Sequence, residues 1–144
     1  MTRPCVNAAY FDSNIMVYAV DPRDSQRVKR DIARALVKTR RPHISVQVMM
    51  ETFHVLSRKR IISRDAAKGY VERLSTFPTT VVEAGDVRTA LDYSDQYGIT
   101  HFDALHIRAA ERARMSLMYS EDLNHGQTYG SVRVCNPFIE DFLA

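Results

Sequence analysis

The sequence predicts an α/β fold, in which helices cover both faces of a parallel β-sheet. Short apolar segments typical of buried strands alternate with amphipathic helical segments along the whole chain. Such alternation favours parallel strands joined by helical crossovers. No linker rich in Pro, Gly or Ser divides the 144 residues, a length that fits one domain. We therefore expect residues 1–144 to form a single domain.

The first half of the chain predicts two strands and three helices. The first strand is an apolar run that is closed by Asp12. The longest helix places Val28, Ile32 and Leu36 on one apolar stripe and ends before Pro42. In order, the predicted elements are a strand at 8–12, a helix at 13–20, a helix at 24–38, a strand at 43–46 and a helix at 47–59.

Capping residues mark the helix ends in the second half. Ser63 and Thr100 have the side chains of N-cap residues, and Gly98 is a natural C-cap. Asp103 follows Thr100 by three residues and completes a variant of the capping box. The predicted elements are a helix from 63 to about 75, a strand at 79–82, a helix at 84–97, a helix from 100 to about 114, strands at 115–119 and 132–135, and a short helix after Pro137.

The charge distribution indicates a polyanionic partner. The net charge is only +3, but sixteen of the 20 cations are Arg, whose planar fork binds phosphate oxygens. The segment 23–41 contains eight cations and two acids, and a second basic cluster lies at 58–64. Charge runs alone also fit solvent-exposed helix faces, and this alternative stays open.

The cysteines and the apolar runs favour a cytoplasmic protein. Cys5 and Cys135 are the only cysteines, and their separation fits neither a zinc site nor a secreted disulfide framework. Two reduced thiols are typical of the cytosol. The N-terminus has no apolar signal core, and the longest apolar run, at 15–20, is far too short to span a membrane.

Carboxylates follow two of the predicted strands at the point where each strand ends. Asp12 closes the first strand, and Asp122 follows the strand at 115–119 through Ser120 and Glu121. Ligands of open parallel sheets bind at the carboxyl ends of the strands, where the strand order reverses. Clustered carboxylates repel one another unless a divalent cation compensates their charge, and oxygen ligands suit magnesium or manganese.

Each acid also has an interpretation that involves no function. Asp12 fits a helix N-cap, Asp122 a turn residue, and Asp103 an acid that stabilises a helix N-terminus. Against the last, Asp103 shares a helix face with apolar neighbours and therefore needs a partner or a cation. Periodicity does not single out Glu51, which by pattern alone is an exposed residue. His106 lies among alanines and fits a core or interface histidine.

Four segments together resemble the PIN-domain ribonucleases, especially the toxins of VapBC-type toxin–antitoxin pairs. The match runs nearly end to end. The residues that carry it are Tyr10-Phe11-Asp12-Ser13-Asn14, Ser45 to Glu51, Gly98 to His106, and Tyr119 to Gly126, with Arg133 to Phe138 at the end.

The resemblance implies a three-layer α/β/α sandwich with a parallel sheet and the activity of a magnesium- or manganese-dependent endoribonuclease. It also implies that such a toxin forms a homodimer and binds an antitoxin whose tail blocks the acidic site. The dimer is expected through the helices at 25–38 and 64–75. His106 and Arg108 depart from the common aliphatic form of the third segment. By analogy, the catalytic and metal-binding acids are Asp12, Glu51, Asp103 and Asp122, with Ser120 in support.

Three other classes of protein share features with this sequence. A receiver domain needs a Lys after its last strand, but no Lys lies beyond Lys68. A haloacid-dehalogenase-like phosphatase needs a second Asp at the position of Asn14. The remaining alternative is a catalytically silent PIN domain that binds nucleic acid, which the four acids disfavour.

Overall fold

A computed structural model describes residues 8–139, in which helices flank a six-stranded sheet. The strands are β1 (Ala8–Phe11), β2 (Arg41–Ser45), β3 (Thr79–Thr80), β4 (Leu117–Tyr119), β5 (Thr128–Tyr129) and β6 (Val132–Cys135). The helices are α1 (Ser13–Val20), α2 (Arg27–Thr39), α3 (Val46–Arg58), α4 (Arg64–Leu74), α5 (Ala84–Tyr97) and α6 (His101–Arg112), with a 3-10 turn at Asp24–Gln26.

The sheet reverses its strand order at β1. The order is β3-β2-β1-β4-β6-β5, so the chain moves outwards from β1 to one edge before it returns to β4 on the other side. All neighbouring strands are parallel except β5 and β6. The predicted α/β architecture is therefore confirmed. The carboxyl ends of β1 and β4 form the switch point, where a crevice opens in folds of this kind.

The central strand β1 is covered on both sides. Successive side chains of a strand point to opposite faces, and Ala9, Tyr10 and Phe11 have no exposed surface. Phe11 packs edge-on against Tyr119 of β4, with 5.3 Å between the ring centroids. Burial on both faces explains why β1 has a continuous apolar run rather than an alternating pattern.

The short strands differ from the predictions. The strand predicted at 79–82 is reduced to Thr79–Thr80, which pairs only with β2 at the edge of the sheet. β2 begins at Arg41, two residues earlier than predicted, because Ala8 and Arg41 pair in register. The antiparallel strand β5 was not predicted, since two residues carry no periodicity.

A tight turn joins β5 to β6. Gly130 in this turn has a φ of 59°, a conformation that favours glycine. A Cβ atom at this position would lie 2.5 Å from Glu111 Oε2 and 2.7 Å from the Tyr93 hydroxyl. The absence of a side chain therefore lets the turn approach α5 and α6.

The helix ends agree with the predicted caps. The Ser63 and Thr100 hydroxyls accept hydrogen bonds from the backbone N–H groups of Ala66 and Asp103, and Gly98 has a φ of 65°. The predicted helix at 24–38 is divided into the 3-10 turn and α2. At Thr100 the hydrogen bond uses the backbone of Asp103, which leaves the Asp103 carboxylate for other contacts.

Some predictions lie outside the described residues, namely Cys5 and most of the helix expected after Pro137. Cys135 is buried on β6. Within residues 8–139, no helix combines the length and the apolar character that crossing a bilayer requires.

Candidate functional site

Asp12 lies at the switch point, directly after β1. Its backbone N–H donates to the Tyr119 carbonyl at 3.0 Å, which joins the ends of β1 and β4. Its carboxylate caps α1 by accepting a 2.7 Å hydrogen bond from the Ser13 N–H. The residue retains only 2% of its exposure, so its charge is nearly removed from water.

Three of the predicted acids converge here. Asp12, Asp103 and Asp122 each offer a carboxylate oxygen, and these atoms lie within 4.8 Å of one another. Asp12 comes from the end of β1, Asp103 from the first turn of α6, and Asp122 from the segment after β4. The sheet and the start of α6 thus bring together three acids that lie far apart in the sequence.

Ser120 links two of these acids. Its buried hydroxyl donates to Asp12 Oδ2 at 2.7 Å and accepts from the Asp122 N–H at 3.1 Å. The hydroxyl therefore fixes the Asp12 carboxylate and the backbone of Asp122 relative to each other. Ser120 thus lies beside the acids that it is predicted to support.

Glu51 is the fourth predicted acid, but it stands apart from Asp103 and Asp122. It lies on α3, and its Oε1 atom contacts His106 Nε2 at 2.8 Å and accepts from the Ser13 hydroxyl at 3.1 Å. Its Oε2 atom accepts from Gln47 Nε2 at 2.7 Å. Glu51 groups with Asp12 and His106 in a second set of possible ligand atoms within 4.8 Å.

His106 lies among the acids, although the sequence pattern indicated a core or interface histidine. The side chain is 2% exposed, and its Nε2 atom lies 3.5 Å from Asp12 Oδ1 as well as near Glu51. Its Nδ1 atom is 2.7 Å from the Tyr10 hydroxyl. The available signal was its spacing: His106 follows Asp103 by three residues on α6 and therefore shares its helix face.

Asn14 is a further polar residue of the site, and its sequence pattern did not indicate it as a ligand. Its Nδ2 atom donates to Asp122 Oδ2 at 3.1 Å and lies 3.4 Å from both Asp12 Oδ2 and Ser120 Oγ. Its Oδ1 atom is buried and has no hydrogen-bond partner among the described residues. A buried amide oxygen without a donor suits a cation or a water bound to one.

The pKa values of two of the acids, Asp103 and Asp122, are raised. Burial, followed by repulsion from Asp12, raises the pKa of Asp103 above its usual value, although Thr100 acts in the opposite direction. Burial and Asp12 also raise the pKa of Asp122. A divalent cation reverses this repulsion. The donor set of carboxylate and amide oxygens fits magnesium or manganese.

For Glu51 and His106, the neighbouring side chains outweigh the effect of burial on the pKa. Burial alone raises the pKa of Glu51, but His106 and Gln47 outweigh it, and the net shift is downward. Burial lowers the pKa of His106, but Asp12 and Glu51 outweigh it, and the net shift is upward. Hydrogen bonds from neighbouring side chains therefore already stabilise the ionised form of Glu51.

A cavity of about 340 Å³ opens beside the acids. Ser13, Asn14 and Asp122 line it on the side of the site, while Arg23 and Lys59 bring cations from the two basic segments. Arg23 also pairs with the buried Asp21 carboxylate at 2.6 Å, whereas Lys59 is exposed. Each basic segment thus contributes one cation next to the acids.

Other cations near the site are committed to structural pairs. Lys29 Nζ donates to Glu121 Oε2 at 2.9 Å, and the Tyr18 hydroxyl donates to Glu121 Oε1 at 2.5 Å. Arg108, which departs from the resembled family, donates to Asp86 at 2.8 Å. Arg108 therefore ties α6 to α5 and does not extend a basic surface at the acids.

Comparisons with known proteins agree with this architecture. The sequence model of the PIN domain matches residues 9–130. A toxin–antitoxin complex from Klebsiella pneumoniae superposes with a TM-score of 0.66 and 17% identity, over 90% of this chain and 97% of that chain. No curated protein matches the sequence of this chain significantly.

Two further solved structures are similar. VapC20 of Mycobacterium tuberculosis, described as a toxin that cleaves the sarcin–ricin loop, has a TM-score of 0.64 and 18% identity, over 76% of this chain and 86% of that chain. VapBC2 of Rickettsia felis, bound to a DNA fragment from its promoter, has a TM-score of 0.61 and 16% identity, over 88% of this chain and 96% of that chain. At these identities the likeness establishes the fold.

Substitution of Asp103 by Asn should stabilise the protein in the absence of divalent cations. Because the pKa of Asp103 is raised in the folded state, its ionised form opposes folding above the unfolded pKa, and this penalty is lost as the pH falls. In chelator at pH 7, we expect a gain of at most about 1 kcal/mol, since solvent screens a half-buried charge. That corresponds to a rise in Tm of roughly 2–4 °C.

Thermal unfolding followed by circular dichroism at pH 7 and pH 4 checks this expectation. Added magnesium should raise the Tm of the unmodified protein more than that of Asp103→Asn. The matched control is Asp95→Asn, which makes the same change at an exposed position of α5. A variant that is less stable than the control in chelator would contradict the repulsion.

Proposed function

Because this chain belongs to the PIN domain family, we propose that it is a magnesium- or manganese-dependent endoribonuclease and the toxin of a toxin–antitoxin pair. The observation that carries the proposal is the set of three carboxylates within 4.8 Å of one another at the sheet's switch point. The similar VapC20 structure, described as a toxin that cleaves the sarcin–ricin loop, supports RNA as the substrate class.

The proposed roles follow from the hydrogen bonds. Asp12, Asp103 and Asp122 hold the metal ion, while Ser120 and Asn14 orient their carboxylates. A bound divalent cation supplies charge neutralisation at the phosphate and lowers the pKa of a water molecule. Glu51 lies at the same crevice, where Ser13 and His106 hold its carboxylate towards Asp12. Phosphodiester hydrolysis is the reaction that such a site serves.

RNA binding is proposed in the cavity beside the acids. Arg23 and Lys59 line this cavity together with Asn14 and Asp122. A chain that enters the acidic site would place a neighbouring phosphate near these cations, which offset the repulsion between RNA and the carboxylates. Val17, Val55 and Ile61 add an apolar surface that suits a nucleobase.

An antitoxin is proposed to occupy a second cavity, of about 430 Å³, between α2 and α4. Apolar side chains line it, and Arg34, Lys38 and Arg73 are exposed around it. These cations fit an apolar segment that carries acidic residues. A basic side chain of the same partner would suit the carboxylate crevice. The similar toxin–antitoxin complex supports this class of partner.

Self-association stays a prediction, but the charges disfavour the α2–α4 face. A two-fold interface brings the same patch of both copies together, so the cations Arg34, Lys38 and Arg73 of both copies would lie in one interface. Large apolar side chains are exposed elsewhere, including Val87 and Leu91, which lie one helical turn apart on α5. We propose that a homodimer uses this stripe of α5.

Metal-dependent cleavage of RNA is the first expected result. Purified protein should cleave RNA with magnesium or manganese and lose the activity in chelator. Asp12→Asn and Asp103→Asn should each lower the rate by about 100-fold or more, because each removes a ligand that acts on the transition state.

Cleavage is measured on a labelled RNA with folding checked by circular dichroism, and Asp95→Asn serves as the control. Full activity of either variant, or activity that survives chelator, would contradict the assignment as a metal-dependent nuclease with these ligands. Metal-independent RNA binding without cleavage by the unmodified protein would favour the catalytically silent alternative.

Lys59→Gln should weaken the binding of single-stranded RNA and reduce its dependence on salt. Loss of one phosphate contact should lower the slope of log K against log salt by roughly 0.7. Affinity is measured by fluorescence anisotropy in the Asp103→Asn background, so that the RNA is not cleaved. The control is Lys68→Gln, an equal change at an exposed position of α4. Equal slopes for the two variants would remove Lys59 from the RNA-binding surface.

Lys38→Glu should weaken the complex with the small protein encoded by the adjacent reading frame. Reversing a charge at the rim of the α2–α4 cavity should reduce affinity by about tenfold, since the proposed partner segment is acidic. Affinity is measured by calorimetry on co-purified components, with Lys68→Glu as the control. If no small protein co-purifies from the native operon, or if both variants bind alike, the partner proposal fails.

A further inference from the structure

The acids of the site are divided between two environments. Within the described residues, Thr100 is the hydrogen-bond partner of the Asp103 carboxylate, and Asn14 is the donor to the Asp122 carboxylate. By contrast, the Glu51 carboxylate forms hydrogen bonds with His106, Ser13 and Gln47, at 2.8, 3.1 and 2.7 Å. Open carboxylate oxygens therefore remain on one side of Asp12 only.

We propose that His106 fills the position that a second metal ion would take, so that this protein binds a single metal ion, on Asp12, Asp103 and Asp122, with Glu51 outside its coordination sphere. The inference rests on the proposed function, because it specifies the metal content of the same site. It makes His106 a positioning residue that holds Glu51 beside Asp12 without contact to the metal.

The first argument concerns space. His106 Nε2 lies 2.8 Å from Glu51 Oε1 and 3.5 Å from Asp12 Oδ1, and thus fills the position between the two carboxylates. A magnesium ion shared by these oxygens would lie roughly 2.1 Å from each. The Ser13 hydroxyl approaches the same two oxygens, at 3.1 and 3.5 Å. An ion bound to Asp12 Oδ1 and Glu51 Oε1 would therefore compete with both side chains for these oxygens.

The second argument concerns the hydrogen on His106. Among the described residues, Ser45 Oγ contacts only the Tyr10 hydroxyl, at 2.7 Å, and the Val48 N–H, which is itself a donor. Ser45 is buried, so its hydroxyl must donate to Tyr10. The Tyr10 hydroxyl then donates to His106 Nδ1, at 2.7 Å.

This direction of the hydrogen bonds decides the chemistry of Nε2. Because Nδ1 accepts, the hydrogen of the ring lies on Nε2, where it points to Glu51. A histidine that binds a metal through Nε2 needs the opposite tautomer, with Nδ1 as the donor. That arrangement would leave the buried Ser45 hydroxyl without an acceptor. Nε2 is therefore a hydrogen-bond donor to the acids and not a metal ligand.

The test counts the manganese ions bound by the full-length, antitoxin-free protein at a fixed pH. Free Mn²⁺ is followed by electron paramagnetic resonance during titration of the metal-free protein. We expect one ion per chain. Asp103→Asn should weaken its binding by at least about tenfold because it removes a ligand oxygen, whereas Glu51→Gln, which removes none, should change the affinity by less than about threefold. In His106→Ala, the vacated position should admit a second ion with spin coupling to the first.

Pulsed resonance experiments distinguish donor from ligand. No modulation from a directly bound imidazole nitrogen is expected, since Nε2 carries a hydrogen. Such modulation, two ions on the unmodified protein, or equal weakening by Glu51→Gln and Asp103→Asn would each overturn the proposal. If His106→Ala does not fold, the Glu51→Gln comparison still decides it, because that carboxylate is partly exposed.

The same titration separates this inference from the proposed function. Metal-dependent RNA cleavage together with two bound ions would overturn the single-ion inference alone. No bound manganese together with no cleavage would overturn both.

Discussion

A buried negative charge at the end of β1 is the constraint on which the rest of the site depends. Asp12 is 2% exposed, and a carboxylate removed from water is unfavourable unless hydrogen bonds replace its hydration. The Ser13 N–H and the Ser120 hydroxyl provide these bonds, both at 2.7 Å. The bond between the Asp12 N–H and the Tyr119 carbonyl then places the segment after β4 beside it. Polar residues such as Ser13 and Ser120, which follow the two strands, thus supply the hydrogen bonds that one buried acid requires.

The acids differ in how far the sequence could predict them. Asp12 and Asp122 follow apolar strands, and the parallel sheet brings the ends of such strands together. Asp103 was indicated by its apolar helix face. Glu51 had no such signal, because its environment depends on His106, which is 55 residues away in the sequence and on another helix. Resemblance to the PIN domain family, rather than periodicity, placed Glu51 at the site.

The elements of the fold also differ in whether local sequence patterns or long-range pairing define them. The helices were predictable because amphipathic stripes and capping residues such as Thr100 and Gly98 are local signals. The two-residue strands β3 and β5 are defined by pairing with β2 and β6, and their own residues contain no repeating pattern. β2 likewise extends to Arg41 because β1 is its neighbour. The strand order, which creates the switch point, is also a property of these pairings.

The contacts of Glu121 have a consequence for the entropy of ligand binding. Asp122 belongs to an irregular segment, where ordering the backbone on binding commonly reduces affinity. Here the preceding residue, Glu121, is held by Tyr18 of α1 and Lys29 of α2. The Lys29 ammonium group also lies 5.4 Å from the ring centroid of Phe138, beyond β6. Folding has therefore already ordered this segment through contacts with α1 and α2. A ligand thus meets Asp122 in place, and its binding energy is not spent on arranging the loop.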